Sequence, residues 1–199
     1  MAVVSGGTTL IDNGALDPAV PSGSLILLST QTASASATIS FTSGIDSTYD
    51  SYVFKFINIH PSNSNAFFQF NLSTDGGSNY NVVKTTSFFL AGNKENDSGT
   101  AFAYSTSYDL AQSTDFQNLS EAMSNASDNG VSGNLQIFNP SSTTFVKHFI
   151  STTNHNGSGY SLNNFIAGYG NTTSAVDAIQ FKMSSGNIDD GIIKMYGVK

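Results

Sequence analysis

Apolar residues recur at every second position along this chain, in runs too short for a helix, and that period limits what it can fold into. In residues 178–183, Ile179, Phe181 and Met183 alternate with Gln180 and Lys182. Near the C-terminus Ile193 and Met195 stand opposite Ile192, Lys194 and Tyr196. Alternation of this kind places one face of an extended strand in a core and the other in water. The same pattern runs through Ile39 and Phe41, and through Phe68, Phe70 and Leu72. Residues 52–59 read Tyr-Val-Phe-Lys-Phe-Ile-Asn-Ile, aromatic and β-branched, and stop at His60-Pro61.

Repeated along the chain, these signals predict about nine or ten strands. Further strands are expected at residues 25–29, 80–90, 102–110, 134–138, 144–150 and 160–169. Asp75-Gly76-Gly77 tolerates positive φ and predicts a hairpin that returns through residues 80–86. Polar loops are expected at residues 91–100 and 154–159, and a longer one at 112–131 with a single helical turn around 119–123. Two packed antiparallel sheets bury many one-faced strands economically, so the fold is expected to be all-β, an antiparallel β-sandwich. A jelly roll suits the strand count and the long mid-chain crossing. An immunoglobulin-like sandwich is the alternative, though its Cys and Trp marks are absent. The domain is expected to span residues 24–199. Residues 1–23, punctuated by Gly6, Gly7, Gly14, Pro18, Pro21 and Gly23, read as an extended N-terminal arm, with a frayed tail as the alternative.

Composition narrows the function. Ser, Thr, Asn and Gly make up about 44% of the 199 residues, while 11% are charged, against about 25% in an average domain. Hydrophobic content of 39% and aromatic content of 12% separate the chain from disordered sequences of similar bias. All basic residues are Lys, and the formal net charge is −7. That balance argues against nucleic acid and against an anionic membrane surface as partners. Cys is absent, which removes disulfides, thiolate metal sites and thiol nucleophiles. No signal peptide or apolar membrane-spanning run is recognisable, and the mature chain is expected to begin near Met1.

Catalytic signals are weak. Of the three histidines, His148 shares a strand face with Val146 and Ile150 and is expected to be packed or at an interface. His155 is expected to be exposed in a loop, and His60 follows a strand. None has metal-ligand spacing to another. The carboxylates, Asp189-Asp190 among them, sit beside Gly, Asn or Ser and read as turn formers. Residues 93–97 and Asp128-Asn129 offer oxygens but miss the ligand register of a calcium loop. Residues 73–80, Ser-Thr-Asp-Gly-Gly-Ser-Asn-Tyr, are similar to the Asp-box of sialidase propellers, with Asn79 and Tyr80 departing from it, and read as a turn motif. Tyr104 with Tyr108, or Tyr160 with Tyr169, are candidate sugar-stacking platforms. No catalytic, cofactor-binding or metal-binding residue is assigned, no cofactor is expected, and the protein is expected not to be an enzyme.

The chain resembles small structural proteins of marine tailed bacteriophages. The likeness is carried by the strand at residues 52–61, the segment 73–80, the turn at 138–142, and the ending Ser185-Gly186-Asn187 followed by Gly191-Ile192-Ile193-Lys194-Met195-Tyr196-Gly197. The resemblance implies a virion protein assembled in the host cytoplasm. With no coiled-coil or repeat to build a stalk, the expected place is the capsid surface, as a decoration protein. Its partners would then be the major capsid protein and further copies of itself, a trimer being one arrangement. A tail-tip protein binding host glycans is the alternative, and a glycoside hydrolase comes third.

Overall fold

The computed structural model describes residues 3–5, 8–12, 15–16, 25–157 and 159–199. Within the stretch expected as an arm, β1 (Val3–Ser5), β2 (Thr8–Asp12) and β3 (Ala15–Leu16) pair antiparallel as a small sheet of their own. The rest of that stretch lies outside the described residues.

Twelve strands follow in two sheets, all antiparallel, and no helix occurs among the described residues. They are β4 (Ile26–Thr32), β5 (Ile39–Phe41), β6 (Ser51–Pro61), β7 (Phe68–Ser73), β8 (Lys84–Lys94), β9 (Thr100–Tyr104), β10 (Gln117–Asn118), β11 (Val131–Phe138), β12 (Lys147–Gly157), β13 (Tyr160–Gly170), β14 (Ala178–Met183) and β15 (Ile188–Val198). The larger sheet runs β4-β15-β6-β11-β12-β13-β8-β9, and the smaller runs β10-β7-β14-β5. Chain order alternates between sheets from β4 to β8, and the first and last strands of the sandwich, β4 and β15, pair side by side. The expected all-β antiparallel sandwich is what the chain forms.

Phe181 of β14 marks the centre of the core. Its ring lies 5.3 to 6.5 Å from those of Phe41, Phe54, Phe56, Phe68 and Phe70. Phe54 and Phe56 come from the large sheet and the others from the small one, so the cluster bridges both layers. The Phe41 and Phe56 rings meet that of Phe181 edge-to-face, and pairs of that kind add about 0.5–1.5 kcal/mol each beyond area burial.

Several expectations are corrected. The turn at Gly76 and Gly77 exists, with φ of 69° and 85°, but it closes no β7–β8 hairpin. Val82 N–H reaches back to Leu72 O, then the chain crosses to the large sheet, where β8 pairs with β13. Residues 91–94 extend β8 rather than forming a loop, and 105–110 form turns. Likewise Asn154 to Gly157 belong to β12. The helical turn expected near 119–123 is extended chain along β7, with Leu119 N–H on Phe68 O and Met123 N–H on Ala66 O. Spacing of four between two buried apolar residues imitated a helix there.

That coil over residues 112–130 also explains the polar interior beside β12 and β13. A buried coil brings main-chain groups that need partners. Thr153 Oγ1 donates to Leu119 O, Ser120 Oγ accepts from Phe68 N–H, and Gln117 Nε2 donates to Tyr108 O. Thr86 Oγ1 donates to Gln117 Oε1 and accepts from Leu110 N–H.

Candidate functional site

The solvent side of the large sheet carries large apolar side chains. Antiparallel register puts Phe89 opposite both Phe165 and Tyr104, Ala91 opposite Phe102, Ala167 opposite Ile150, and Tyr169 opposite His148. Phe89 and Phe165 stack at 4.9 Å and 11°, and Phe102 meets Phe89 edge-on at 6.0 Å. Phe102 is 81% exposed, Tyr104 55% and Ile150 53%. Beside them a shallow depression of about 590 Å³ is lined by Thr85, Ser87, Phe138, His148, Ile150 and Tyr169. The outward positions of β8, from Thr85 through Ser87, Phe89 and Ala91 to Asn93, are all uncharged, as are those of β12 and β13. Apolar area gathered on one face marks a contact surface more often than scattered residues do.

His148 sits on this outer face, exposed and 6.1 Å from the Tyr169 ring, and is not packed in the core. The inward residues of β12 are Lys147, Phe149, Ser151, Thr153 and His155. His155 is therefore buried, contrary to the expected exposed loop. Burial lowers its pKa to about 4. Its Nδ1 meets Asn164 Nδ2 at 3.1 Å, while Nε2 has no partner.

Two other pockets carry titratable side chains. The larger, about 600 Å³, lies where β6, β11 and β15 slip register, with Asn58 at φ 50° and Gly191 at φ 123°. Asn58, His60, Asp128, Asn156, Asp189 and Asp190 line it. His60 Nδ1 lies 3.8 Å from Asp189 Oδ2, and Nε2 lies 3.1 Å from Ala126 O. Asp189 and Asp190 are thus strand residues at a bulge, not a turn. The second pocket, about 370 Å³, is lined by Tyr108, Glu121, Gly157 and Tyr160 among others. Glu121 is the carboxyl whose pKa burial raises, and no second carboxylate lines its pocket. A glycosidase pair needs both carboxyls in one cleft; Asp128, Asp189 and Asp190 share the first pocket, and Glu121 stands apart from them in the other. Among the described residues no group of three His, Cys, Asp or Glu is placed to hold a metal ion.

The expected tyrosine platforms do not form. Tyr104 is exposed and donates to Asp109 Oδ2 at 2.6 Å, whereas Tyr108 packs between Phe67 and Phe88. Tyr160 and Tyr169 occupy opposite ends of β13. Of the oxygen-rich stretches, 93–97 is the end of β8 and the start of the turn to β9, and Asn129 Oδ1 is taken by Asn156 Nδ2 at 2.7 Å. In residues 73–80, Asp75 Oδ1 accepts from Ser73 Oγ and Asn79 N–H, and Ser73 Oγ accepts from Gly77 N–H. Asn79 Nδ2 also donates to Asp75 Oδ2 at 2.7 Å; that bond first, then those from Ser73 Oγ and Asn79 N–H, hold Asp75 down to about pKa 2, and the set braces the turn.

The aromatic set Phe89, Phe102 and Phe165 was missed from sequence because each alone reads as a core residue. Only the register shows that the three meet outside. Comparison with known proteins adds nothing to this geometry, since no family model, curated protein or solved structure matches the chain.

Proposed function

We propose that this protein is a non-enzymatic virion structural protein of a tailed bacteriophage, a capsid decoration protein that docks on the head lattice through the outer face of its large sheet. The observation that carries the reading is the uncharged aromatic surface around Phe89, Phe102, Phe165 and Ile150. A chain of net charge −7 that keeps this face free of charge is suited to contact with protein. Repeated lattice sites would multiply a modest affinity, and a trimer at threefold positions suits such a lattice.

The strand order supports the architecture expected of such a protein. We read β4-β15-β6-β11 and β5-β14-β7-β10 as the two four-stranded sheets of a jelly roll. The pairs β8–β9 and β12–β13 then widen one sheet and create the aromatic face.

The test is to separate heads from tails in purified virions and quantify the polypeptide in each. Hundreds of copies on heads support decoration, and absence from heads overturns it. The stacked Phe89 and Phe165 rings also favour a second reading, host-glycan binding from the tail. A few copies confined to tails, with binding of the purified protein to host cells, support that one.

A further inference from the structure

Lys84 opens β8 and is fully buried between the sheets. Its Nζ donates to Asn71 Oδ1 at 2.5 Å and to Val82 O at 2.7 Å. No carboxylate pairs with it; among the described residues the one approach of a basic side chain to a carboxylate within 4 Å is that of His60 Nδ1 to Asp189 Oδ2. Asn71 lies on β7 in the opposite sheet and is equally buried. Its amide is held on both sides. Nδ2 donates to Tyr80 O at 2.7 Å and Thr114 O at 2.9 Å, and Oδ1 accepts Leu72 N–H at 2.8 Å.

An ammonium sealed in a protein interior without a carboxylate is costly. Burial accordingly lowers Lys84 to about pKa 7, which makes a free amine abundant at neutral pH. A neutral lysine amine is a nucleophile. Adding the carbonyl bond of about 1.23 Å to the Nζ–Oδ1 contact places Nζ within about 3.7 Å of Asn71 Cγ. Reacting atoms in near-attack arrangements stand about 3–3.5 Å apart. Leu72 N–H is positioned to stabilise charge that develops on Oδ1.

We infer that Lys84 and Asn71 join in an intramolecular isopeptide bond that ties the two sheets together. Nζ attacks Cγ, the Cγ–Nδ2 bond breaks, and Nδ2 leaves as ammonia with one proton that began on Nζ. No oxidant, reductant or second substrate enters. The product is neutral, so the cost of the buried cation disappears, and a chain without Cys gains a covalent brace.

Lys147 supplies an internal contrast. It faces Gly170 in the ladder as Lys84 does from the other side, and it too is buried. Its Nζ donates only to the main-chain oxygens of Phe145 and Thr172, so it has no amide side chain to attack and stays an amine.

Mass spectrometry of the full chain decides the matter. Trypsin cuts after lysine, and the chain has seven. The expected product is a peptide of residues 56–94, uncut at Lys84, while elsewhere in the chain cleavage after Lys147 is normal. It should be about 17 Da lighter than its sequence, one ammonia, with fragment ions joining Asn71 to Lys84. Asn71→Ala and Lys84→Met should each restore cleavage or mass to that of their own sequences. The wild-type spectrum alone suffices if either variant fails to fold. Cleavage at Lys84 in the wild type, or full sequence mass for residues 56–94, overturns the inference.

Discussion

Phe89 of β8 and Phe165 of β13 stand opposite each other in the ladder with their rings stacked, on the side of the sheet that faces solvent. Stacked apolar rings exposed to water contribute little to folding and much to contact with a partner. Phe102→Ser and Ile150→Ser should change unfolding free energy by no more than about 0.5 kcal/mol each. Together they should reduce binding to purified heads at least tenfold in a co-sedimentation assay. Unchanged binding would exclude this face as the docking surface.

Phe181 presents the opposite case. Its ring touches five others across both sheets and is fully shielded from water. Phe181→Ala should cost about 3–5 kcal/mol in urea unfolding. Domains carry about 5–15 kcal/mol in total, so the variant should be marginal.

His155 should make the protein acid-sensitive. Its folded pKa of about 4 lies below the ordinary 6.5, so the unfolded chain binds more protons between those values. Stability from this residue is present above pH 6.5 and lost as pH falls towards 4. The full span corresponds to about 3 kcal/mol. Urea midpoints measured across that window should decline for the wild type and flatten for His155→Gln. Asp75 acts in a separate, lower window, between about 3.8 and 2.

Gly191 sits at φ 123° where β15 bulges against β6. A Cβ there would come 2.7 Å from Asn58 O and 2.8 Å from Ile59 Cα, main-chain atoms that cannot swing aside. Gly191→Ala should destabilise by roughly 2–4 kcal/mol, through backbone strain and forced separation of the two strands. Thermal unfolding tests this directly, and a wild-type midpoint would show that the bulge relaxes freely.

Legibility in the sequence followed the range of the forces involved. β14 could be read residue by residue, because Ile179, Phe181 and Met183 face the core in strict alternation. β12 was misread, because its buried face is Lys147, Phe149, Ser151, Thr153 and His155, mostly polar. Period two was present there, but polarity concealed which side was inside. Asp75-Gly76-Gly77 announced its turn correctly, yet pairing of β8 with β13 depended on residues some eighty positions away.

Backbone period and turn chemistry are local, so residue order was enough to show that strands exist, where most of them run and that no disulfide can hold them. Tertiary structure alone decided which strands pair, and so which rings meet in water and which lysines are sealed inside. Phe89, Phe102 and Phe165 became a surface because two added hairpins have no second sheet outside them. Lys84 met Asn71 because a coil and a crossing strand closed over both, and burial depends on neighbours far away in the chain.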